Sequence, residues 1–124
     1  MREERGQIGG NVVVYEEFTL WGSIGGDVTV VEKGKFYMRG TIYGHLKVEY
    51  GGRVHIYGNV TGDIVVERGA KLIHSGNVGG DMINNGGRIY VDRTATVAGK
   101  IKTHKGETKL EPKTAWRGGK GDEA

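Results

Sequence analysis

Lys35, Arg53, Lys71 and Arg88 recur at intervals of 18, 18 and 17 residues, so a fold that brings these intervals into register stacks four cations in one column. Such a column suits an anionic partner: phosphates, acidic glycans or lipid headgroups. Like charges in adjacent register positions also repel. The ordinary reading, a solvated edge neutralised by Glu32, Glu49 and Glu67, therefore takes precedence. Asp27, His45, Asp63 and Asp81 form a second set at the same spacing, each directly after a glycine. Carboxylates beside a histidine can hold a metal or move protons. Asp and His after Gly are also ordinary corner residues that bond nearby backbone, and no further cluster completes a site.

A third set, Trp21, Arg39, Tyr57 and Ser75, reads as an outward column in which Arg39 can stack on both aromatics. It is either plain stacking or a platform for sugars or bases. His74 falls where Leu20, Met38, Ile56 and Val91 point inward, and Asn84 replaces Val30, Val48 and Val66. Two polar side chains inside need partners, and they are expected to bond each other or trapped water. His55 and His104 stand isolated. No P-loop, dinucleotide fingerprint, nucleophile elbow or zinc spacing occurs. No catalytic residue, cofactor or metal is expected.

The element that must position these columns is a repeat. Ile24, Ile42, Val60 and Val78 align, as do Gly26, Gly44, Gly62 and Gly80, and Val28, Leu46, Ile64 and Met82. A unit this short cannot bury its own apolar face and needs a copy on either side. Phe18–Lys35, Phe36–Arg53 and Val54–Lys71 are regular; Leu72–Arg88 is one residue short. The first coil, from Ile8, reaches Phe18 two residues early, and the last, from Ile89, carries about two extra residues before Val97. Inside each coil the apolar residues alternate, as in strands, and glycine-containing pairs supply short corners. The expected fold is all-β: a single-stranded parallel β-helix of five to six coils, roughly 25 Å long at the usual strand spacing. Residues 1–7 read as a polar lead-in, 8–104 as the β-helix domain and 105–124 as a polar, flexible tail.

Composition bounds the rest. The chain has 124 residues, 24 of them glycine and one proline, where average usage gives roughly nine glycines. They recur at fixed positions, which argues against low complexity. There is no cysteine, so disulfides and thiolate metal sites are excluded. The net charge of +3 selects no partner. No apolar run reaches the ~20 residues of a membrane span, and MREERGQ is not a signal peptide. A cytoplasmic location follows as the expectation, with the inner membrane face as the peripheral option. The basic tail, including Lys100, Lys102, Lys105, Lys109, Lys113, Arg117 and Lys120, is partly offset by Glu107, Glu111, Asp122 and Glu123 and reads as solubilising. Nucleic acid is not an expected partner.

The stretch GTIYGHLKVEYGGRVHIYGNVTGDIVVERGAKL resembles the bactofilins, a bacterial polymer-forming cytoskeletal family. The likeness spans about Ile8 to Ile101. It implies a right-handed β-helix that polymerises end to end without nucleotide and recruits protein clients. MREERGQ departs from the apolar membrane-targeting segment that many bactofilins carry, and membrane attachment is not carried over. Open β-helix ends expose unpaired backbone, so a homo-oligomer or filament through Ile8, Val12 and Val14 at one end and Val97 and Ile101 at the other is the leading expectation. Trp116 and Leu110 folding over the C-terminal end would oppose growth. The alternatives are a monomeric or oligomeric β-helix binding module for an anionic partner and, weaker, a hexapeptide-type acyltransferase. The apolar beat from Ile24 to Val78 at every sixth residue favours the last reading; the missing loop insertion argues against it.

Overall fold

The computed structural model describes residues 2–112 and the backbone of Ala115–Trp116. It is all-β, a parallel solenoid of about six turns with strands stacked about 18 residues apart. The first coil comprises β1 (Arg2–Glu4), β2 (Gln7–Ile8) and β3 (Val12–Val14). The second comprises β4 (Glu17–Leu20), β5 (Ser23–Ile24) and β6 (Val28–Val30), and the third β7 (Lys35–Met38), β8 (Thr41–Ile42) and β9 (Leu46–Val48). The fourth holds β10 (Arg53–Ile56), β11 (Asn59–Val60) and β12 (Ile64–Val66). Then come β13 (Lys71–His74), β14 (Asn77–Val78), the long β15 (Met82–Val91), β16 (Thr96–Val97), β17 (Ile101–Leu110) and β18 (Ala115–Trp116). Each strand pairs in parallel with its equivalent one coil away, as in Arg53↔Lys35 and Arg53↔Lys71.

Alternation puts the repeat's apolar columns inside. Phe18, Leu20, Ile24, Val28 and Val30 are buried, and so are Phe36, Met38, Ile42, Leu46 and Val48 one coil on. Phe18 and Phe36 stack with ring centroids 5.5 Å apart. The glycine columns let coils approach closely. A Cβ on Gly44 would strike the Gly26 carbonyl, and one on Gly40 would strike that of Gly22. The second of these columns, Gly22, Gly40, Gly58 and Gly76, marks the corner before the two-residue strands.

The irregular coil lengths resolve into corners. In coils two to four a backbone bond closes the corner: Gly34 N–H to Val31 O, Gly52 N–H to Glu49 O and Ala70 N–H to Glu67 O. Gly51 and Gly69 hold φ of 79° and 78° there, a conformation that a side chain would strain. Coil five has one residue fewer, and the chain runs through as the single strand β15. The two extra residues of the following coil lie between Val91 and Thr96, where Ala95 N–H bonds Asp92 O. The first coil is shortened between Val14 and Glu17, whose partners are Val30 and Lys35.

Two boundaries differ from the sequence reading. Within the expected lead-in, Arg2–Glu4 pairs with Phe18–Leu20 as a strand of the first coil. Beyond His104, the chain continues as β17 to Leu110, paired with β15. Both stretches are too polar to carry the repeat's apolar signature, but backbone pairing does not require it. No helix of the described residues is long and apolar enough to cross a membrane.

Candidate anion-binding face

The register brings Lys35, Arg53, Lys71 and Arg88 into one outward column, each directly beside the next. Parallel pairing sets the step at about 4.8 Å. All four are exposed. Glu17 precedes them in the column and Glu107 follows. The expected neutralisation by Glu32, Glu49 and Glu67 is not realised as contact. Among the described residues the acid–base pairs are Arg5–Glu3, His45–Asp63, Lys47–Glu49 and Arg93–Glu111, and no member of the column takes part. The cause is directional: Glu49 is drawn to Lys47, at 3.8 Å, on its own strand side of the corner.

Hollows flank the column on both sides. On the sheet side, Lys35, Arg53 and Lys71 border a depression of about 170 Å³ with Tyr37, His55 and Ile73. On the corner side a larger cleft runs past Glu32, Lys33, Tyr50, Gly51 and Gly69. Tyr50 is 61% exposed. A Cβ on Gly69 would strike the Tyr50 ring, so the ring rests on that glycine beside Arg53.

The Asp27–His45–Asp63–Asp81 column is a structural ladder. Asn11 Oδ1 accepts from Asp27 N–H, Asp27 Oδ1 from His45 N–H, His45 Nδ1 from Asp63 N–H and Asp63 Oδ1 from Asp81 N–H, each at 2.8 Å. Asp81 Oδ1 completes it with Lys100 N–H at 2.8 Å. Each side chain thus closes the corner of the next coil, which is the corner role expected of such residues. His45 Nδ1 also lies 3.8 Å from Asp63 Oδ2. The shorter bond governs, because a nitrogen accepting a backbone N–H carries no proton of its own. Among the described residues no cluster of three or more His, Asp or Glu could hold a metal.

The aromatic column stacks as the spacing suggested, and extends one coil further. Arg39 lies 5.2 Å from the Trp21 ring centroid and 4.1 Å from that of Tyr57, and Arg5 lies 5.1 Å from Trp21. His55 is not isolated, contrary to the sequence reading. Its ring stacks on Tyr57 at 3.9 Å, Tyr57 Oη bonds Nδ1, and Nε2 meets Ser75 Oγ at 3.3 Å. Ser75 in turn donates to Asp92 Oδ2 at 2.5 Å. Burial lowers the His55 pKa, against the opposing pull of Asp92. Partial burial pushes Asp92 up, but the bonds from Ser75 and Thr94 outweigh it and hold the carboxyl below its ordinary value. A Ser–His–Asp set is therefore present, but wired the wrong way for nucleophilic catalysis: the hydroxyl proton points at the carboxylate, not at the imidazole. Spacing alone hid it, since Ser75 and Asp92 are 17 residues apart in adjacent coils.

His74 and Asn84 do not pair with each other. His74 Nε2 bonds Thr96 O at 2.9 Å, and burial lowers its pKa more than that bond and Asp92 raise it. Asn84 Oδ1 accepts from Gly86 N–H and Gly87 N–H, and its amide reaches Gly87 O, Glu107 O and Thr108 Oγ1. Of the expected end residues, Ile8 is half-buried while Val12, Val14, Val97 and Ile101 are buried and point inward. Val97 is not terminal, because Trp116 pairs beyond it. Leu110 packs against the core. Lys113, Arg117, Lys120, Asp122 and Glu123 and the Trp116 side chain lie outside the described residues.

These features define a β-solenoid with a basic column that no described carboxylate pairs. No family model, curated protein or solved structure matches the chain. The likeness to bactofilins accordingly rests on the repeat residues alone.

Proposed function

We propose that the chain is a non-enzymatic structural protein that self-associates end to end through its terminal coils, without nucleotide. One observation carries this reading. In the described residues β1, β2 and β3 at one end, and β17 at the other, are each paired on one side only. Among the described residues each end therefore shows nearly a full circuit of strand edge with no neighbouring coil. Arg2 and Glu4 occupy positions whose partners Phe18 and Leu20 point inward, and Arg2 lies 4.7 Å over the Phe18 ring. Inward charges blunt an edge, so the adhesive part is Gln7–Ile8 and Val12–Val14.

The test is negative-stain microscopy with light scattering on the full chain and on Val13→Pro. Val12 N–H bonds inward to Asp27 O, so by strand alternation the Val13 N–H faces the free edge. Proline there removes an outward donor at little internal cost. Rods that lengthen with concentration, and shorten in the variant, are expected. A chain that stays monomeric at every concentration sinks the reading.

A second reading, a binding module for an anionic partner, is supported by the four cations that no described carboxylate pairs.

A further inference from the structure

We infer that the basic column binds a linear acidic polysaccharide laid along the solenoid axis. The inference rests on the second reading above and adds the class of ligand; it does not depend on end-to-end assembly.

Three features select that class. The first is pitch. Lys35, Arg53, Lys71 and Arg88 advance in single steps of one strand spacing, about 4.8 Å. A polymer of uronic acids carries one carboxylate per sugar at a comparable rise, so an extended chain keeps step with the column, and the carboxylates on its protein-facing side fall opposite cations at regular intervals. A stacked nucleic-acid strand places its phosphates ~3.4 Å apart along the axis, out of step with the column.

The second is the platform. Sugars present apolar ring faces as well as charge, and they favour an aromatic surface. Tyr50 is exposed in the cleft that also holds Lys35 and Arg53. Bases would need several free rings, but the His55 ring is already stacked on Tyr57 and hydrogen-bonded at both nitrogens.

The third is the limit of the column. Glu17 and Glu107 stand immediately before and after the four cations. The favourable track is therefore finite, about four sugars long by the same spacing. Glu32 and Lys33 also border the cleft and balance each other in charge, so the excess positive charge lies along the column. The glycines of the floor have their own structural cause, since Gly51, Gly69 and Gly86 hold positive φ. What they add is room: a further hollow, beside Arg53, Lys71 and Arg88, is lined by Gly51, Gly52, Gly69, Gly86 and Gly87.

The experiment measures binding of the full chain to fluorescent polygalacturonate oligosaccharides, with neutral dextran, inorganic polyphosphate and oligo-dT as comparison probes. Arg53→Glu places a carboxylate between Lys35 and Lys71 and leaves Arg88 beside Glu107, which relieves repulsion along the column. The variant should melt no lower than the parent while polygalacturonate binding falls at least about tenfold. Tyr50→Ala should weaken the same binding about fivefold and leave its salt dependence unchanged. Dextran should not bind. If no polyanion binds the parent, or the charge-reversed variant binds as well, the anion-binding reading itself fails. If polyphosphate or oligo-dT binds as tightly as polygalacturonate, or Tyr50→Ala has no effect, the column binds anions but the polysaccharide assignment is overturned.

Discussion

Around Phe18 and Phe36 the solenoid interior is wholly apolar, whereas around His74 and Asn84 the same column positions carry buried polar groups. The difference follows coil length. Where every corner closes with its own backbone bond, as at Gly34, Gly52 and Ala70, nothing polar is left inside. Coil five lacks one corner residue, and the Asn84 carboxamide takes over, accepting from Gly86 and Gly87 at 3.0 and 2.8 Å. The coil after it has an added turn, and His74 bonds the Thr96 carbonyl that the turn delivers. His74 and Asn84 thus each mark a departure from the repeat length within the stack, whereas the shortened first coil, at the open end, has no such residue. A solenoid tolerates an insertion or deletion if one inward side chain replaces the lost or misplaced backbone bond.

The largest expected effect is in the apolar half. Phe36 is fully buried against Phe18. Phe36→Ala should cost about 3–5 kcal/mol in denaturant unfolding, because neighbouring coils are held in register and cannot collapse into the space. A loss below about 1 kcal/mol would mean that this interior is loosely packed after all.

Next comes the polar half. Asn84→Val restores the apolar column of Val30, Val48 and Val66, yet should destabilise by roughly 1–3 kcal/mol by stranding the Gly86 and Gly87 amides. Replacing residues 85–87 with the four-residue corner Glu-Arg-Gly-Ala of coil four should then rescue the variant, since that corner closes through its own backbone. Failure of the rescue would break the link between corner length and polar interior.

His74 gives a smaller, pH-dependent effect. Burial holds its folded pKa below the ~6.5 of the unfolded chain. Below that pH the unfolded chain takes up a proton that the folded chain resists. The contribution of neutral His74 is therefore complete above about pH 6.5 and lost as pH falls toward the lowered folded value. His55 is lowered too and acts in the same direction. His74→Leu should flatten, without abolishing, the fall in stability between about pH 7 and pH 5. An unchanged slope would show that His74 is not held neutral.

Much of this was legible in the residues. The column positions of Lys35, Arg53, Lys71 and Arg88, the inward sites of His74 and Asn84, and the length changes in coils one, five and six all follow from alignment at the repeat period. What alignment cannot give is the partner of a side chain. The short coil and the Asn84 substitution were both visible, but their connection lies in two amide bonds that exist only once the corner is closed. The same holds for Glu49, near the basic column in sequence yet paired with Lys47. Strands at the ends were missed because Arg2–Glu4 and the stretch beyond His104 pair through backbone and show no apolar alternation.

The smallest effect tests the ladder that runs through both halves. His45 is the odd member of Asn11, Asp27, Asp63 and Asp81, and it accepts from Asp63 N–H through a ring nitrogen where the others use an oxygen. His45→Ala should cost about 1 kcal/mol, the usual net worth of one such bond. Its exposed amide can turn to water, which keeps the loss modest. His45→Asn should restore the full value, since the shorter side chain returns the acceptor geometry of Asn11. If alanine and asparagine unfold at the same denaturant concentration, the bond is incidental and the corner is held by its glycines alone.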